Sequence, residues 1–163
     1  AILGKPNVGK STFVNRILGE ERVLVTDIPG TTRDAVDIEI KRDGETFLLI
    51  DTAGMRKKAK VQERIEYFSI LRTRQALDRC DVACVIINSE DSVGKQDLQI
   101  IEEVVKARKG IIIAGNKWDL VKHDEDKLRT WTDDVDLRLG GFSWIPLDTI
   151  SYLRGIRVFN ILD

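Results

Sequence analysis

Cysteine and histidine are scarce in this sequence, which has two cysteines and one histidine among 163 residues. Cys80 and Cys84 are spaced as C-x-x-x-C beside an apolar run, and they have no partner histidine nearby. His123, the single histidine, lies in a polar stretch where we expect an exposed loop. We therefore interpret the cysteines as buried free thiols rather than as a metal site. Free thiols are typical of a cytoplasmic protein, which is the location that we expect.

Long apolar runs and a strong excess of charge are also missing. No segment approaches the roughly 18 apolar residues that a membrane-spanning helix needs, so we expect no membrane contact. The formal net charge is −1, which gives the whole domain no general attraction for RNA. With 42% hydrophobic and 33% charged residues, the composition is typical of a globular domain, and 163 residues suffice for one complete core.

The most informative segment runs from Gly4 to Ser11 and reads G-x-x-x-x-G-K-S. The pattern is typical of a loop that surrounds nucleotide phosphates, because its glycines let backbone N–H groups turn toward phosphate oxygens. A helix predicted from about Lys10 to Gly19 adds the positive end of its dipole. We expect Lys10 to contact the terminal phosphates as a catalytic residue and the Ser11 hydroxyl to bind Mg²⁺. The predicted nucleotide-binding residues of this loop are Gly4, Lys5, Pro6, Asn7, Val8, Gly9, Lys10, Ser11 and Thr12.

A second motif, D-x-x-G, follows the apolar run Phe47–Ile50 at Asp51 and Gly54. A carboxylate at a strand end can hold Mg²⁺ through water, so Asp51 is a predicted metal and nucleotide ligand. Gly54 has no side chain, and its N–H can approach the γ-phosphate, which makes it a predicted catalytic residue. Between the two motifs, the Thr32 hydroxyl is our candidate for a catalytic switch residue that completes the Mg²⁺ shell only while the γ-phosphate is present.

A third motif, N-K-x-D, follows an apolar run at Asn116, Lys117 and Asp119. A carboxylate at its last position can accept hydrogen bonds from the N1–H and the 2-amino group of guanine, and adenine offers neither donor. Hydrogen bonds to charged groups contribute about 1.5–3 kcal/mol each, so the loss of two costs about 3–6 kcal/mol. The three motifs, in this order, therefore predict a protein that binds GTP.

Apolar runs alternate with amphipathic segments along the rest of the chain, which predicts an α/β fold. We expect a doubly wound, mostly parallel six-stranded sheet with one antiparallel strand and the nucleotide at the carboxyl ends of the strands. A turn at Asp43 and Gly44 joins the two strands of the antiparallel pair. After a first strand in the run 1–3, the predicted strands are 35–42, 46–51, 82–88, 110–116 and 144–148; the predicted helices are 61–79, 95–108 and 125–138, with a partial last helix.

On these motifs, the sequence resembles the TrmE–Era–EngA–septin class of GTPases and, within it, the Der (EngA) family of ribosome-assembly GTPases. The segments that carry the resemblance are Pro6–Thr12, Asp27–Asp34, Asp51–Lys58 and Asn116–Leu120. Asp-Thr-Ala-Gly followed by Met-Arg-Lys-Lys is most similar to the second of that family's two tandem GTPase domains. The resemblance covers the chain from Ala1 to about Ile150, and it implies a Ras-like G domain that hydrolyses GTP to GDP and phosphate with Mg²⁺.

The resemblance also implies a longer protein and a set of partners. We expect residues 1–163 to form one G domain that is truncated at its first strand, without the tandem GTPase domain and the KH-like domain of the family. The implied partners are GTP and GDP, ribosomal RNA or a ribosomal subunit in large-subunit assembly, and the other domains of the same protein. The basic cluster Arg56–Lys60 is the candidate contact with RNA or a neighbouring domain, and a solvated loop is the other interpretation.

The family's last guanine-contacting motif resembles Ser-Ala-(Lys/Leu). In this sequence, Thr149 and Ile150 are its best positional matches, because they follow the short apolar run Ile145–Leu147. Those two residues complete the predicted nucleotide site.

The residue that orients the attacking water is a separate question. Met55 stands where Ras-like enzymes place a glutamine, and a thioether does not orient water by a strong hydrogen bond. The resemblance implies two substitutes. One is a K⁺ ion held by the Asn7 side chain and by carbonyls around Thr26 and Ile28. The other is Glu63 as a catalytic residue, which is equally well interpreted as a solvated glutamate at a helix start.

Two further functions remain open. A nucleotide-sensing regulatory module that hardly hydrolyses GTP without partners is compatible with Met55. The G domain of an MnmE-like tRNA-modification GTPase is disfavoured by the basic residues that follow Met55 and by Trp118 within N-K-W-D.

Overall fold

The computed structural model describes residues 1–19, 24–27, 37–50, 70–121 and 123–162. Several residues of the predicted site lie outside these ranges, and their roles remain predictions from the sequence. They are Ile28, Thr32, Asp51, Gly54, Met55, the cluster 56–60 and Glu63.

Strands and helices alternate along most of the described chain. The strands are β1 (Ile2–Leu3), β2 (Leu24–Asp27), β3 (Ile38–Arg42), β4 (Glu45–Leu49), β5 (Val82–Asn88), β6 (Gly110–Asn116) and β7 (Leu147–Thr149). The α-helices are α1 (Lys10–Leu18), α2 (Ile70–Arg79), α3 (Lys95–Lys106) and α4 (Glu125–Leu139). Short 3₁₀ helices cover Trp118–Leu120, Gly140–Phe142 and Phe159–Ile161.

Four strands form a parallel sheet in the order β1-β5-β6-β7. Leu3 pairs with Val85, and the last residues of the two central strands, Asn88 and Asn116, pair with each other. Because the strands are parallel, their carboxyl ends meet at one edge of the sheet. There β1 leads into residues 4–11, the predicted phosphate loop. The predicted α/β fold with a mostly parallel sheet is confirmed.

Three further strands form an antiparallel sheet in the order β2-β3-β4. The predicted turn between β3 and β4 is present, with left-handed φ angles of 50° at Asp43 and 89° at Gly44. The predicted strand inventory needs a correction, because the described residues form seven strands and β3 is antiparallel to both of its neighbours. Strand β2 is not among the predicted strands, because its four residues, with Leu24 and Thr26 exposed, are too few to show a repeating pattern.

The bounds of the other elements follow the predictions most closely in the central strands. β5 and β6 begin and end where predicted, whereas β7 begins at Leu147 instead of 144. Trp144 is exposed, and Pro146 offers only its carbonyl oxygen to the ladder, which accepts from the Ile113 N–H at 2.8 Å. Helix α3 ends before the predicted 108, because Arg108 adopts a left-handed φ of 55°.

Helices cover both faces of the parallel sheet, and β5 shows the division. Val85 and Ile87 face one side, whereas Cys84 and Ile86 face the other, as the two-residue period of a strand requires. On the first side, these residues pack with buried residues of α2, α3 and α4, among them Leu77, Ile100, Ile101, Val104 and Val135. On the second side, they pack with α1 and β3 through Phe13, Val14, Ile17, Ile38 and Ile40.

The predicted free thiols are confirmed, because Cys80 and Cys84 are both buried and neither forms a disulfide. Desolvation by burial raises the pKa of Cys84 to about 12, so this thiol stays protonated at neutral pH. Among the residues that the structure describes, no group of three or more His, Cys, Asp or Glu side chains is arranged to hold a metal ion. No helix in the same ranges is long and apolar enough to cross a bilayer.

The hairpin turn generates a prediction about stability. Gly44→Ala should lower the free energy of unfolding by about 1 kcal/mol, because alanine disfavours the left-handed backbone. Steric contact does not contribute, since a Cβ on Gly44 meets no atom within 4 Å. Gly141→Ala is the matched control, because its added Cβ also meets nothing within 4 Å and its φ lies outside the left-handed region. Urea unfolding measures both variants, and equal effects would contradict the argument.

Candidate functional site

The loop between β1 and α1 has a backbone that only particular residues tolerate. Gly4 and Gly9 have φ angles of 145° and 104°, and Asn7 has a φ of 63°. A Cβ on Gly4 would lie 2.5 Å from the Ile86 carbonyl oxygen, and a Cβ on Gly9 would lie 2.3 Å from the Asn116 Nδ2. Both glycines of the G-x-x-x-x-G-K-S motif are therefore required by close contact as well as by conformation.

Lys10 and Ser11 lie in the first turn of α1. The Lys10 ammonium donates to the carbonyl oxygens of Gly4 and Lys5 at 2.9 and 2.8 Å, so its charge lies across the loop. The Ser11 hydroxyl is half-buried and has no hydrogen-bond partner among the described residues. A hydroxyl oxygen suits Mg²⁺, which prefers oxygen ligands.

Asn116 joins three segments of the chain through one buried side chain, which is 5% exposed. Its Nδ2 donates to the Val8 carbonyl oxygen at 2.7 Å, and its Oδ1 accepts from the Tyr152 N–H at 3.3 Å. The end of β6 is therefore hydrogen-bonded both to the phosphate loop and to the segment after β7. The structure thus brings the first and third sequence motifs into contact.

Asp119 lies in the 3₁₀ helix that follows β6, with a side chain that is 12% exposed. Its Oδ1 accepts a hydrogen bond of 2.5 Å from the Ser151 hydroxyl, and Arg154 Nε lies 4.0 Å from its Oδ2. Lys117 adopts a left-handed φ of 65°, and its ammonium donates to Glu90 at 2.9 Å. The Asp119 carboxylate is thus oriented by the Ser151 hydroxyl and retains lone pairs that can accept hydrogen bonds from a ligand.

Thr149, the last residue of β7, and Ile150, which follows it, are the predicted residues of the last motif, and their role in nucleotide binding stays a prediction. The Thr149 hydroxyl accepts from Arg157 at 3.0 Å. Ile150 is fully buried, and its N–H donates to the Gly115 carbonyl oxygen at 2.8 Å. The Ile150 carbonyl oxygen accepts from the Trp118 N–H at 3.1 Å, so Ile150 is hydrogen-bonded to the third motif through its backbone, whereas the Thr149 hydroxyl bonds only Arg157 among the described residues.

Ser151 and Tyr152, which were not among the predicted site residues, make hydrogen bonds to Asp119 and Asn116. The available signal was the serine of the Ser-Ala-(Lys/Leu) pattern, which matches Ser151 once the large Tyr152 is accepted in the place of alanine. The Tyr152 ring is 1% exposed and lies 4.6 Å from the Phe13 ring, measured between centroids. Desolvation by burial raises the pKa of the Tyr152 phenol well above its usual value. This residue therefore serves as a neutral core side chain, and its backbone faces the site.

The residues predicted for a K⁺ site are described only in part. Asn7 is exposed at the loop, and Thr26 is exposed in β2, where it pairs with Glu39. Ile28 lies outside the described residues, so this ligand set remains a prediction.

Comparison with known proteins supplies the context for this geometry. A family model described as 50S ribosome-binding GTPase matches residues 1–117. A GTPase Der from Chlorobium phaeobacteroides (strain BS1) is 47% identical over 163 residues, which are 100% of this chain and 38% of that protein. A GTPase Der from Chloroherpeton thalassium is 48% identical over 162 residues, which cover 99% of this chain and 37% of that protein. The chain thus spans less than two fifths of the length of these relatives.

Two solved structures illustrate the similarity of fold. Era in complex with MgGDPNP and nucleotides 1506–1542 of 16S ribosomal RNA has a TM-score of 0.69 at 23% identity, over 99% of this chain and 53% of that one. The G domain of the FeoB iron transporter from T. maritima has a TM-score of 0.60 at 24% identity, over 99% and 91% of the two chains. At these identities, the likeness establishes the fold alone.

The contacts of Asn116 generate a prediction. Asn116→Ala should destabilise the nucleotide-free protein by about 2–6 kcal/mol, because it leaves two buried polar groups without a partner and each costs about 1–3 kcal/mol. The two groups are the Val8 carbonyl and the Tyr152 N–H. Asn88→Ala, at the paired end of β5, is the control, since its amide bonds the exposed Asp91. Urea unfolding should show a much smaller change for the control, and similar changes would contradict this role of Asn116.

Proposed function

The chain belongs to the family of 50S ribosome-binding GTPases, its resemblance to GTPase Der is confirmed, and from this premise we propose that it is a GTP-binding and GTP-hydrolysing switch domain. The single observation that carries the proposal is the contact between the N-K-x-D motif and the phosphate loop through Asn116. A base held at Asp119 and phosphates held at the loop then belong to one ligand.

Guanine selectivity is assigned to Asp119. Ser151 occupies one acceptor position of its Oδ1, so the remaining lone pairs are available to the N1–H and the 2-amino group of guanine. The proximity of the Tyr152 backbone to Asn116 supports a contact from this segment to the base edge. Adenine would leave a partly buried carboxylate without these donors, which disfavours ATP.

Phosphate binding is assigned to the loop and to the start of α1. Its N–H groups and the positive end of the helix dipole favour the phosphate anions, and Lys10 adds a full charge beside them. Mg²⁺, when bound, would neutralise charge on the β- and γ-phosphates, and Ser11 is its candidate ligand among the described residues. Thr32, Asp51 and Gly54 remain the proposed partners from the rest of the chain.

Hydrolysis is proposed as attack of water on the γ-phosphorus in line with the leaving GDP. Met55 does not orient that water, so the proposal assigns the missing contribution to a K⁺ ion at Asn7 or to Glu63. A nucleotide-sensing module with negligible hydrolysis in isolation is the second candidate function, and the same observation on Met55 supports it.

The cellular role is proposed from the relatives. The matched family is described as 50S ribosome-binding, which supports a role at the large subunit. The structural neighbour Era is bound to 16S ribosomal RNA, which belongs to the small subunit and supports contact with ribosomal RNA alone. We accordingly assign this domain to a Der-like factor of large-subunit assembly in the cytoplasm, with RNA and the other domains of a longer protein as partners. The cluster Arg56–Lys60 is its proposed contact.

A change of base preference from guanine to xanthine tests the assignment of Asp119. Asp119→Asn should weaken GTP binding by about a hundredfold or more, because it removes the charged acceptor of two hydrogen bonds. The same variant should favour xanthosine triphosphate, whose 2-oxo group accepts from the new amide. Titration of both nucleotides against the wild type and the variant measures the switch, and Asp124→Asn, at the helix cap of α4, is the control. An unchanged GTP affinity in Asp119→Asn would falsify the assignment.

Comparison of hydrolysis rates in KCl and in NaCl tests the proposed K⁺ ion. Single-turnover hydrolysis should be faster in KCl than in NaCl at matched ionic strength, by about 10–100-fold, because a monovalent ion should contribute less than the 10³–10⁵ of an arginine finger. Asn7→Ala should abolish the difference while GTP binding persists. Equal wild-type rates in the two salts would remove K⁺ from the mechanism and leave Glu63 as the candidate. Negligible rates in both salts would favour the nucleotide-sensing module.

A further inference from the structure

Lys5 lies inside the phosphate loop, and its side chain leaves the loop to meet helix α3. The ammonium is 3.2 Å from Asp97 Oδ2 and 3.9 Å from Asp91 Oδ2. The two carboxylates differ in environment, because the Asp97 side chain is 1% exposed and the Asp91 side chain is 55% exposed. The buried contact, with Asp97, is therefore the one that water screens least.

The main chain of the same lysine supports the phosphate-binding lysine. The Lys5 carbonyl oxygen accepts from the Lys10 ammonium at 2.8 Å, beside the bond from Lys10 to Gly4. Lys5 therefore connects α3 to Lys10, through its side chain on one side and its carbonyl on the other. A shift of Lys5 moves one of the oxygens on which the Lys10 ammonium rests.

Capping of α3 alone does not explain a carboxylate at this position. Asp97 Oδ2 accepts from the Gly94 N–H at 3.0 Å, which caps the helix start. Its Oδ1, however, is buried without a hydrogen-bond partner among the described residues. A buried charge with an unsatisfied oxygen is costly unless a cation compensates it, and a neutral side chain would cap without that cost. Lys5 is the cation that lies within 4 Å of it in the described part of the chain.

We propose that Asp97 is a positioning residue for nucleotide binding, which holds the phosphate loop through Lys5 and thereby sets the place of Lys10. Asp97 itself touches no nucleotide. The inference rests on the proposed function, because the loop must bind phosphates for its placement to matter. A loop that is held in its bound form before the ligand arrives loses less conformational freedom on binding.

The test compares Asp97→Asn with two matched controls. Asp91→Asn removes the exposed partner of the same lysine, and Glu103→Gln removes the ion pair from α3 to Arg74 without touching the loop. GDP affinity in the presence of Mg²⁺ should fall by about tenfold in Asp97→Asn, in line with the loss of one charge-assisted contact, and should stay near wild type in both controls.

A second measurement separates positioning from a general loss of structure. Amide hydrogen exchange of residues 4–11 in the nucleotide-free protein should be faster in Asp97→Asn, while residues 98–106 of α3 stay protected. Lys5→Met should reproduce both changes, whereas Lys5→Arg, which keeps the positive charge, should keep GDP affinity near that of the wild type. The double variant Lys5→Met/Asp97→Asn should bind GDP no more weakly than either single variant, because both substitutions break the same ion pair. Lys5→Met also carries the test if Asp97→Asn fails to fold, since Lys5 is 23% exposed.

The outcomes distinguish this inference from the proposed function. If the Asp97→Asn effect on GDP affinity equals that of Asp91→Asn, or if only α3 loses protection, the positioning role is wrong. If the wild type itself does not bind GDP, the proposed function fails, and the exchange of residues 4–11 still decides whether Asp97 holds the loop.

Discussion

The buried amide of Asn116 is the interaction on which the site depends. Its Nδ2 donates to the Val8 carbonyl oxygen, and its Oδ1 accepts from the Tyr152 N–H. Buried backbone groups need partners, so these bonds fix the position of the phosphate loop, and that of the segment after β7, relative to the end of β6. The close approach of Gly9 to the same amide shows how little room the arrangement leaves.

Two kinds of interaction hold the phosphate loop, one on each side. Toward β6, neutral hydrogen bonds and close packing set its position, with the Tyr152 ring against Phe13 in the core beneath α1. Toward α3, the ion pair of Lys5 with Asp97 acts across the loop's other flank. The parallel sheet makes both possible, because the carboxyl ends of its strands bring the starts of α1 and α3 to the same edge.

Predictions from the sequence were accurate where a local pattern carries a local physical requirement. Continuous apolar runs located β5 and β6, and the pair Asp43-Gly44 located a turn that needs left-handed angles. They were inaccurate where the pattern was short or depended on a distant partner. Strand β2 offers four residues with an exposed Leu24, and the start of β7 depends on how Pro146 meets β6.

The sequence by itself determined the α/β fold, the glycines of the phosphate loop, the charge of Lys10 and the order of the motifs, because each depends on backbone conformation or on residue type at a fixed spacing. Only the tertiary structure decided that Ser151 meets Asp119 and that Lys5 meets Asp97. These pairs lie on different elements, and a one-dimensional pattern carries no record of which side chains a fold buries together. The physical reason is burial itself, which selects one partner for a charge or hydroxyl that water would otherwise satisfy.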